Sequence, residues 1–185
     1  MTPPERRPTK AELAAAAGGG VADVTAPGLR VLFCGINPGL YSAATGHHFA
    51  RPGNRFWPAL HRSGFTGRVL APGEETELLD LGLGITNVVD RATARAEELT
   101  AEELVAGGKR LARKVKRLRP GWLAVTGVTA YRTAFAQPRA KVGRQELTIG
   151  DTKLWVLPNP SGLNAHWNAV QLATAFRELR LLVER

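Results

Sequence analysis

Asn37 lies in a loop of unusual composition. The stretch FCGINPGLYSAATGHHFARPGNRFW, residues 33–57, holds four glycines, two prolines, two histidines and no acid, directly after an apolar run. A chain that only turns a corner needs far fewer special residues, so the composition points to a ligand held close to the backbone. Gly35 and Gly39 leave the flanks of Asn37 and Pro38 without side chains, which lets backbone approach a planar or phosphate-bearing ligand. The spacing matches neither GxGxxG nor GK[ST], so dinucleotide and P-loop chemistry are not indicated. An amide has donors and an acceptor but no accessible basic form, so Asn37 can orient a water and cannot deprotonate one. Phe49, further along, has two readings. It is a stacking face for a base, worth about 1–3 kcal/mol, or a plug for the core beneath a long loop. His47 and His48 are adjacent and point apart, which makes a shared metal ion difficult. They read as polar loop groups, or as a DNA contact for one of them.

Two further segments carry chemical potential. In NPSGLN, residues 159–164, Pro and Gly shape a tight turn with Leu163 at its tip. Leu163 is either an apolar wedge for a base stack or a hydrophobic staple for the final helix. Ser161 and the backbone around Gly162 suit a phosphate or a base edge, and His166 suits a phosphate or a helix cap. Asp90 closes the run GITNVVD. Its carboxylate can orient water or stabilise a developing cation, or it pairs with Arg91 or caps the next segment.

These residues need a scaffold, and the chain alternates strands with helices. Apolar runs at residues 29–36, 84–90, 121–127 and 154–157 read as buried strands. A hairpin is expected about Gly150–Asp151. Helices are expected in RFWPALHRSG, in APGEETELLD with its acids in the first turn, and near residues 128–137. TAEELVAGGKRLARKVKRLRP opens with Thr100 and Glu103 at capping-box spacing and stops at Pro120. The last helix places Leu172, Phe176, Leu179 and Val183 on one face. Such alternation predicts an α/β fold, a mostly parallel sheet covered on both sides, with ligands bound beyond the C-terminal strand ends. That rule gathers the loop after Ile36, Asp90 and NPSGLN on one rim.

The chain has 185 residues, 44% of them hydrophobic, enough for one domain with a real core. Residues 1–24 read as a flexible, basic, Ala/Gly-rich tail with a short helix at residues 10–17, and residues 25–185 as the single catalytic domain. Lys and Arg number 25 against 16 acids, a formal +9, which favours a polyanionic partner, nucleic acid above an anionic membrane. Much of that charge lies on one helix, at Lys109, Arg110, Arg113, Lys114, Lys116 and Arg117, which reads as a solvated outer face. Cys34 is the only cysteine, so neither an intrachain disulfide nor a cysteine zinc site is expected. No signal core or membrane-length apolar stretch is present, and an intracellular location is expected.

GINPGL with HHFARPGNRFW, then LPNPSGL after the last core strand, resemble the mismatch-specific uracil-DNA glycosylases, relatives of thymine-DNA glycosylase within the uracil-DNA glycosylase superfamily. GVTAYRTAF, LTIGDTKLWVLPNPSG and RELRLL extend the resemblance over about residues 26–184. It implies a three-layer α/β/α fold with a central, mostly parallel sheet. It implies a base-flipping monofunctional glycosylase in base excision repair, which removes uracil mispaired with guanine, extends to thymine or larger cytosine adducts, and leaves an abasic site. No cofactor or metal is expected. The partner is double-stranded DNA with a G·U or G·T mismatch, acted on by a monomer in the cytoplasm or, in a bacterium, on the nucleoid. The resemblance assigns Asn37 to the attacking water and Ile36, Gly39, Tyr41, Ser42 and Phe49 to the pocket. It assigns Asn159, Ser161, Gly162, Leu163 and Asn164 to DNA, with Leu163 as the wedge and the backbone of Gly162 and Asn164 facing the widowed guanine. Asp90 joins Asn37 as a catalytic candidate because of its rim position.

Stronger superfamily members have GQDPYH and HPSPLS at these places, so Asn37 stands for an Asp and Asn159 for a His. Modest turnover follows. Gly39 stands where those enzymes have a Tyr that excludes the methyl of thymine, so a wider pocket is expected, although Tyr41 replaces an expected small residue and Asn87 an expected lysine. The competing readings are a DNA-binding module that holds mismatches or abasic sites without cutting, and a nucleotide-handling α/β enzyme with no DNA role.

Overall fold

The computed structural model describes residues 6–184. Five strands form one sheet: β1 (Val31–Gly35), β2 (Leu83–Asn87), β3 (Trp122–Thr126), β4 (Gly143–Ile149) and β5 (Thr152–Leu157). Their order is β2-β1-β3-β5-β4. All neighbours pair in parallel except β4, which runs antiparallel to β5 across the expected hairpin. Every residue of β1, β2 and β3 is buried, which is why these strands read as continuous apolar runs rather than as alternating ones.

The described residues form six α-helices: α1 (Lys10–Ala15), α2 (Leu40–Thr45), α3 (Phe56–Arg62), α4 (Ala101–Leu118), α5 (Val128–Ala134) and α6 (Ala169–Val183). Of these, α3 and α6 cover one face of the sheet, α4 and α5 the other, and α1 packs on α2. Successive strand side chains point to opposite faces. Phe33, Ala124, Trp155 and Leu157 therefore pack with Phe56 and Leu60 of α3 and Leu172, Phe176 and Leu179 of α6. Cys34, Leu123, Val125, Leu154 and Val156 pack with Leu111 and Val115 of α4 and Tyr131 of α5. The result is the three-layer α/β/α arrangement the sequence predicts. The chain leaves β1 for β2 over the first face and returns across β1 to β3 over the second, so the strand order reverses between β1 and β3. A crevice beyond the C-terminal ends of those two strands is where such sheets bind ligands.

The expected capping box of α4 is formed, with the Glu103 N–H donating to Thr100 Oγ1 at 3.1 Å and the Thr100 N–H to Glu103 Oε2 at 2.8 Å. Two glycines sit in the middle of this helix, where they lower helix propensity. The reason is close approach: a Cβ at Gly107 would collide with the carbonyl oxygen of Val88, and one at Gly108 with that of Ala134. Propensity alone predicts that Gly107→Ala stabilises by about 0.8–1.0 kcal/mol, whereas a clash with fixed backbone costs about 1–3 kcal/mol. The second effect is expected to win, with a lower urea midpoint at unchanged m-value for Gly107→Ala.

Some elements differ from expectation. Pro72–Leu81 is wound as a 3-10 helix, and its Glu75 side chain is turned inward and buried. Residues 40–45, read as part of one long loop, form α2, which Gly39 opens and Gly46 closes with φ 78°. Of the expected tail, residues 1–5 lie outside the described residues. The rest forms α1, with a Thr9–Glu12 capping box, and then follows the edge of the sheet. Val24 and Ile85 exchange both backbone hydrogen bonds, at 2.9 and 2.8 Å, because edge strand β2 has backbone groups that need partners.

Candidate active site

Asn37 stands two residues beyond β1. Its Nδ2 donates to the Arg91 carbonyl and to Thr93 Oγ1, each at 2.8 Å. A carbonyl can only accept, so this contact fixes which end of the amide points down, and Oδ1 is left as the group that can accept. Thr93 donates its own hydroxyl hydrogen bond to the Arg95 carbonyl at 2.7 Å, so its lone pair is free for Asn37. The turn that supplies these acceptors is itself anchored. Arg91 donates to Glu103 through Nε at 2.7 Å and Nη2 at 3.0 Å. Those bonds and the Thr100 N–H bring the Glu103 carboxyl down to about 2. Arg91 is thereby committed elsewhere, and Asp90 does not pair with it. The Asp90 carboxylate is exposed and accepts no hydrogen bond among the described residues.

Phe49 lies across the end of β1. Its ring stacks on Phe56 at 4.1 Å and 21°, and its edge rests against Gly35, where a Cβ would stand 3.3 Å from Phe49 Cζ and 2.5 Å from Asn87 Oδ1. A side chain at residue 35 would therefore displace Asn87 and press on Phe49. One face of Phe49 packs on the core, as the plug reading expects, and the residue remains half-buried. Its φ of 51° is a strained value for a bulky residue, of order 1–3 kcal/mol, which persists only where the surroundings hold it.

Several bonds do so. Glu75 Oε2 accepts from the His48 N–H at 2.8 Å and Oε1 lies 3.2 Å from His47 Nδ1. His48 Nε2 donates to the Ala22 carbonyl at 2.8 Å. That bond leaves Nδ1 as the acceptor for Asn87 Nδ2, at 3.4 Å. Ser42 is buried, and its Oγ accepts from the Ala50 N–H at 3.1 Å. Ser42 thus braces the loop around Phe49. Gly39 is exposed at the start of α2, where a Cβ would meet nothing within 4 Å, and Tyr41 is half-buried two residues on. The Ile36 side chain packs on Gly127, whose absent Cβ would lie 2.9 Å from it. The Gly127 N–H reaches the Leu157 carbonyl at 2.8 Å. The ends of β1, β3 and β5 are therefore contiguous.

Residues 159–168 follow β5. Asn159 Oδ1 accepts from the Ser161 N–H at 3.0 Å, and Ser161 Oγ from the Leu163 N–H at 3.2 Å. These short-range bonds lift Leu163 into solvent at 72% exposure. The Asn164 N–H is bound to the Ser161 carbonyl at 3.0 Å, and its Nδ2 to the Asn159 carbonyl at 3.0 Å. Gly162 makes no hydrogen bond among the described residues but passes close to the motif loop, where a Cβ would stand 2.5 Å from the Gly53 carbonyl oxygen.

Arg55 joins the two segments. Its N–H donates to the Pro160 carbonyl at 2.9 Å. Its guanidinium reaches the carbonyls of Ser161 at 3.1 Å, Asn164 at 2.7 Å and Trp167. The residues predicted for pocket and wedge thus share one rim and are tied through a residue that sequence reasoning missed. Glu75 and His48 were likewise not singled out as supports. Their partners are distant in sequence, and no spacing pattern marks them. The basic stripe of α4 is mostly remote, since this helix starts near the rim and ends where the Leu118 carbonyl meets the Gly28 N–H before β1. Lys114 leaves the stripe to bind Asp23 at 2.5 Å and Thr86 at 2.9 Å.

No helix of the described residues is long and apolar enough to cross a membrane. A solution NMR structure from Methanosarcina acetivorans, provisionally named a uracil DNA glycosylase, superposes with a TM-score of 0.60 at 18% identity, over 88% of this chain and 98% of that one. At that identity the likeness concerns the fold. The family model of the Uracil DNA glycosylase superfamily matches residues 22–180, a span that takes in the whole sheet, Asn37, Phe49, Arg55 and the Leu163 turn. On that match, the chain belongs to the uracil DNA glycosylase superfamily.

Proposed function

We propose that this chain is a base-flipping, monofunctional DNA glycosylase of the mismatch-specific kind, which hydrolyses the N-glycosidic bond of uracil opposite guanine. One observation supports this reading above others: Arg55 ties the Leu163 turn to the loop that carries Phe49, at the same strand ends where Asn37 is clamped. A uracil turned out of the helix stacks on Phe49, and Leu163 enters the gap it leaves. The C1′–N1 bond breaks with its electron pair going to uracil, which leaves as an anion and takes a proton from solvent. Water, oriented by Asn37 Oδ1, bonds to C1′ and releases its proton to solvent. Backbone N–H donors aimed at the uracil oxygens would stabilise the departing anion by about 3 kcal/mol each. Gly162, with free backbone groups, takes the edge of the widowed guanine. Asn164 shares that role only if its bonds to Ser161 and Arg55 open. A G·U wobble is easier to open than a proper pair, which favours the mismatch.

Labelled G·U, A·U and single-stranded uracil substrates, treated with alkali after incubation, test this reading. Strand breakage is expected first and fastest at G·U. A retarded but unbroken G·U duplex would replace it with a non-cutting mismatch binder. Asp90 is exposed on the same rim and is proposed to stabilise positive charge on the sugar. Asp90→Asn is expected to slow cleavage less than loss of Asn37 does. Gly39 governs breadth of substrate in this reading. Gly39→Tyr meets no clash at its Cβ and has an unstrained φ of −75°. It is expected to leave stability and G·U cleavage near parent levels and to suppress any G·T cleavage.

A further inference from the structure

We infer that residues 9–24 are a positioning strap for the active site, one that holds the Asn37 clamp and the Phe49 loop together from outside. The inference rests on the glycosylase reading for its effect on rate, and on geometry alone for its effect on Asn37.

Two adjacent peptide units carry the link. The unit between Arg91 and Ala92 presents its carbonyl to Asn37 Nδ2 at 2.8 Å and its N–H to the Gly19 carbonyl at 2.8 Å. The unit between Ala92 and Thr93 presents its carbonyl to the Gly18 N–H at 2.9 Å and its N–H to the Pro38 carbonyl at 3.2 Å. A peptide unit is planar, so neither plane can turn without moving both the strap and the motif loop. The strap then reaches the other arm of the pocket. The Ala22 carbonyl accepts a hydrogen bond from His48 Nε2–H, which sets the tautomer that receives Asn87, and His48 is the neighbour of Phe49 in the chain. One segment therefore fixes the water-orienting amide and the stacking ring.

The strap acts mainly by directional bonds, and Val24 at its end is its one buried apolar side chain. Helix α1 buries none of its residues. A groove of about 560 Å³ runs beside its contact with α2, lined by Arg6, Glu12, Ala16, Ala43 and Thr45 among others. Such a contact adds little to global stability, while a small displacement of an orienting group can lower a rate by about 10²-fold. The superfamily match begins at residue 22, so most of the strap lies outside it.

Two variants of the full chain test this: deletion of residues 2–20, and Gly18→Pro, which removes the N–H and cannot adopt the φ of 78° found there. Each is compared with the parent for single-turnover rate on G·U, for affinity toward an abasic-product duplex, and for the ¹⁵N-detected side-chain amide of Asn37. The expected result is a rate lowered about tenfold or more, with affinity within about threefold and a shifted, broadened Asn37 amide. The deletion removes three cations (Arg6, Arg7, Lys10) and two acids (Glu5, Glu12), so charge alone should change affinity little. An Arg6/Arg7/Lys10→Ala variant that reproduces the whole loss would overturn the inference, as would an unchanged Asn37 amide. A parent that cuts nothing, with an Asn37 amide that still responds to the deletion, would sink the glycosylase reading and keep the strap.

Discussion

Asn37→Ala is expected to lower the single-turnover rate on G·U by about 10²–10³-fold while leaving duplex affinity near that of the parent chain. The argument starts from the clamp. Both amide hydrogens are engaged, by Arg91 and Thr93, so Oδ1 has one direction and any water bonded to it one position. Alanine removes the acceptor and leaves the Arg91 carbonyl to solvent. It removes no phosphate contact, so the salt-dependent part of DNA affinity has no reason to change. Asn37→Asp sharpens the test. A carboxylate is the stronger base, and stronger superfamily members resemble this chain with Asp in that place. Here, however, an ionised Asp would set an oxygen against the Arg91 carbonyl, where the amide donates. The new carboxyl gains by keeping a proton to donate, which raises its pKa. Because the ionised form is the active base, the rate of Asn37→Asp should climb with pH through neutrality, while the parent, with an amide that does not titrate, stays flat. A flat Asp profile, or an Ala variant that cuts as fast as the parent, would remove residue 37 from the chemistry.

How much of this was legible in the sequence depends on the range of the interactions. The strands could be read because burial on both faces demands unbroken apolar runs, as in Val31–Gly35 and Trp122–Thr126. The start of α4 could be read because a capping box is a pattern three residues long. The alternation of strands and helices then placed Asn37, Asp90 and Leu163 on one rim by topology alone. Contacts across more than a hundred residues left no mark. Arg55 looked like one more cation in a basic chain, and its three acceptors are backbone carbonyls, which any residue supplies. The same holds for the strap, where glycine and alanine offer only N–H and C=O groups. Helix α2 was hidden because six residues are too few for a periodic pattern. For Phe49 the structure shows the plug contact, one face on Phe56, on a residue that stays half-buried at the rim.

Arg55 is expected to act on DNA through Leu163, and a double-mutant cycle can show it. Leu163→Ala should slow cleavage about tenfold or more, since an apolar wedge offsets an unstacking penalty of a few kcal/mol. Its effect on stability should stay within about 0.5 kcal/mol, because the side chain is 72% exposed. Arg55→Ala touches no base in this reading, yet it strips three backbone carbonyls of a charged donor. Hydrogen bonds to charged groups contribute about 1.5–3 kcal/mol each, and part of that is lost to solvent screening at a half-buried site. A net loss of about 2–4 kcal/mol in stability is the reasonable expectation. Rate should fall as well, as far as the wedge turn loses its fixed height above the rim. If Arg55 serves only to hold that turn, adding Leu163→Ala to Arg55→Ala should slow cleavage little further, a non-additivity of more than about 0.5 kcal/mol. Independent, multiplying effects would mean that Arg55 meets DNA itself. Arg55→Lys separates charge from geometry, because one ammonium cannot span three acceptors set out for a planar fork. It should keep the salt dependence of binding and still cut slowly. A lysine variant with full parental rate would show that charge at this position suffices and that the clamp does not set the wedge.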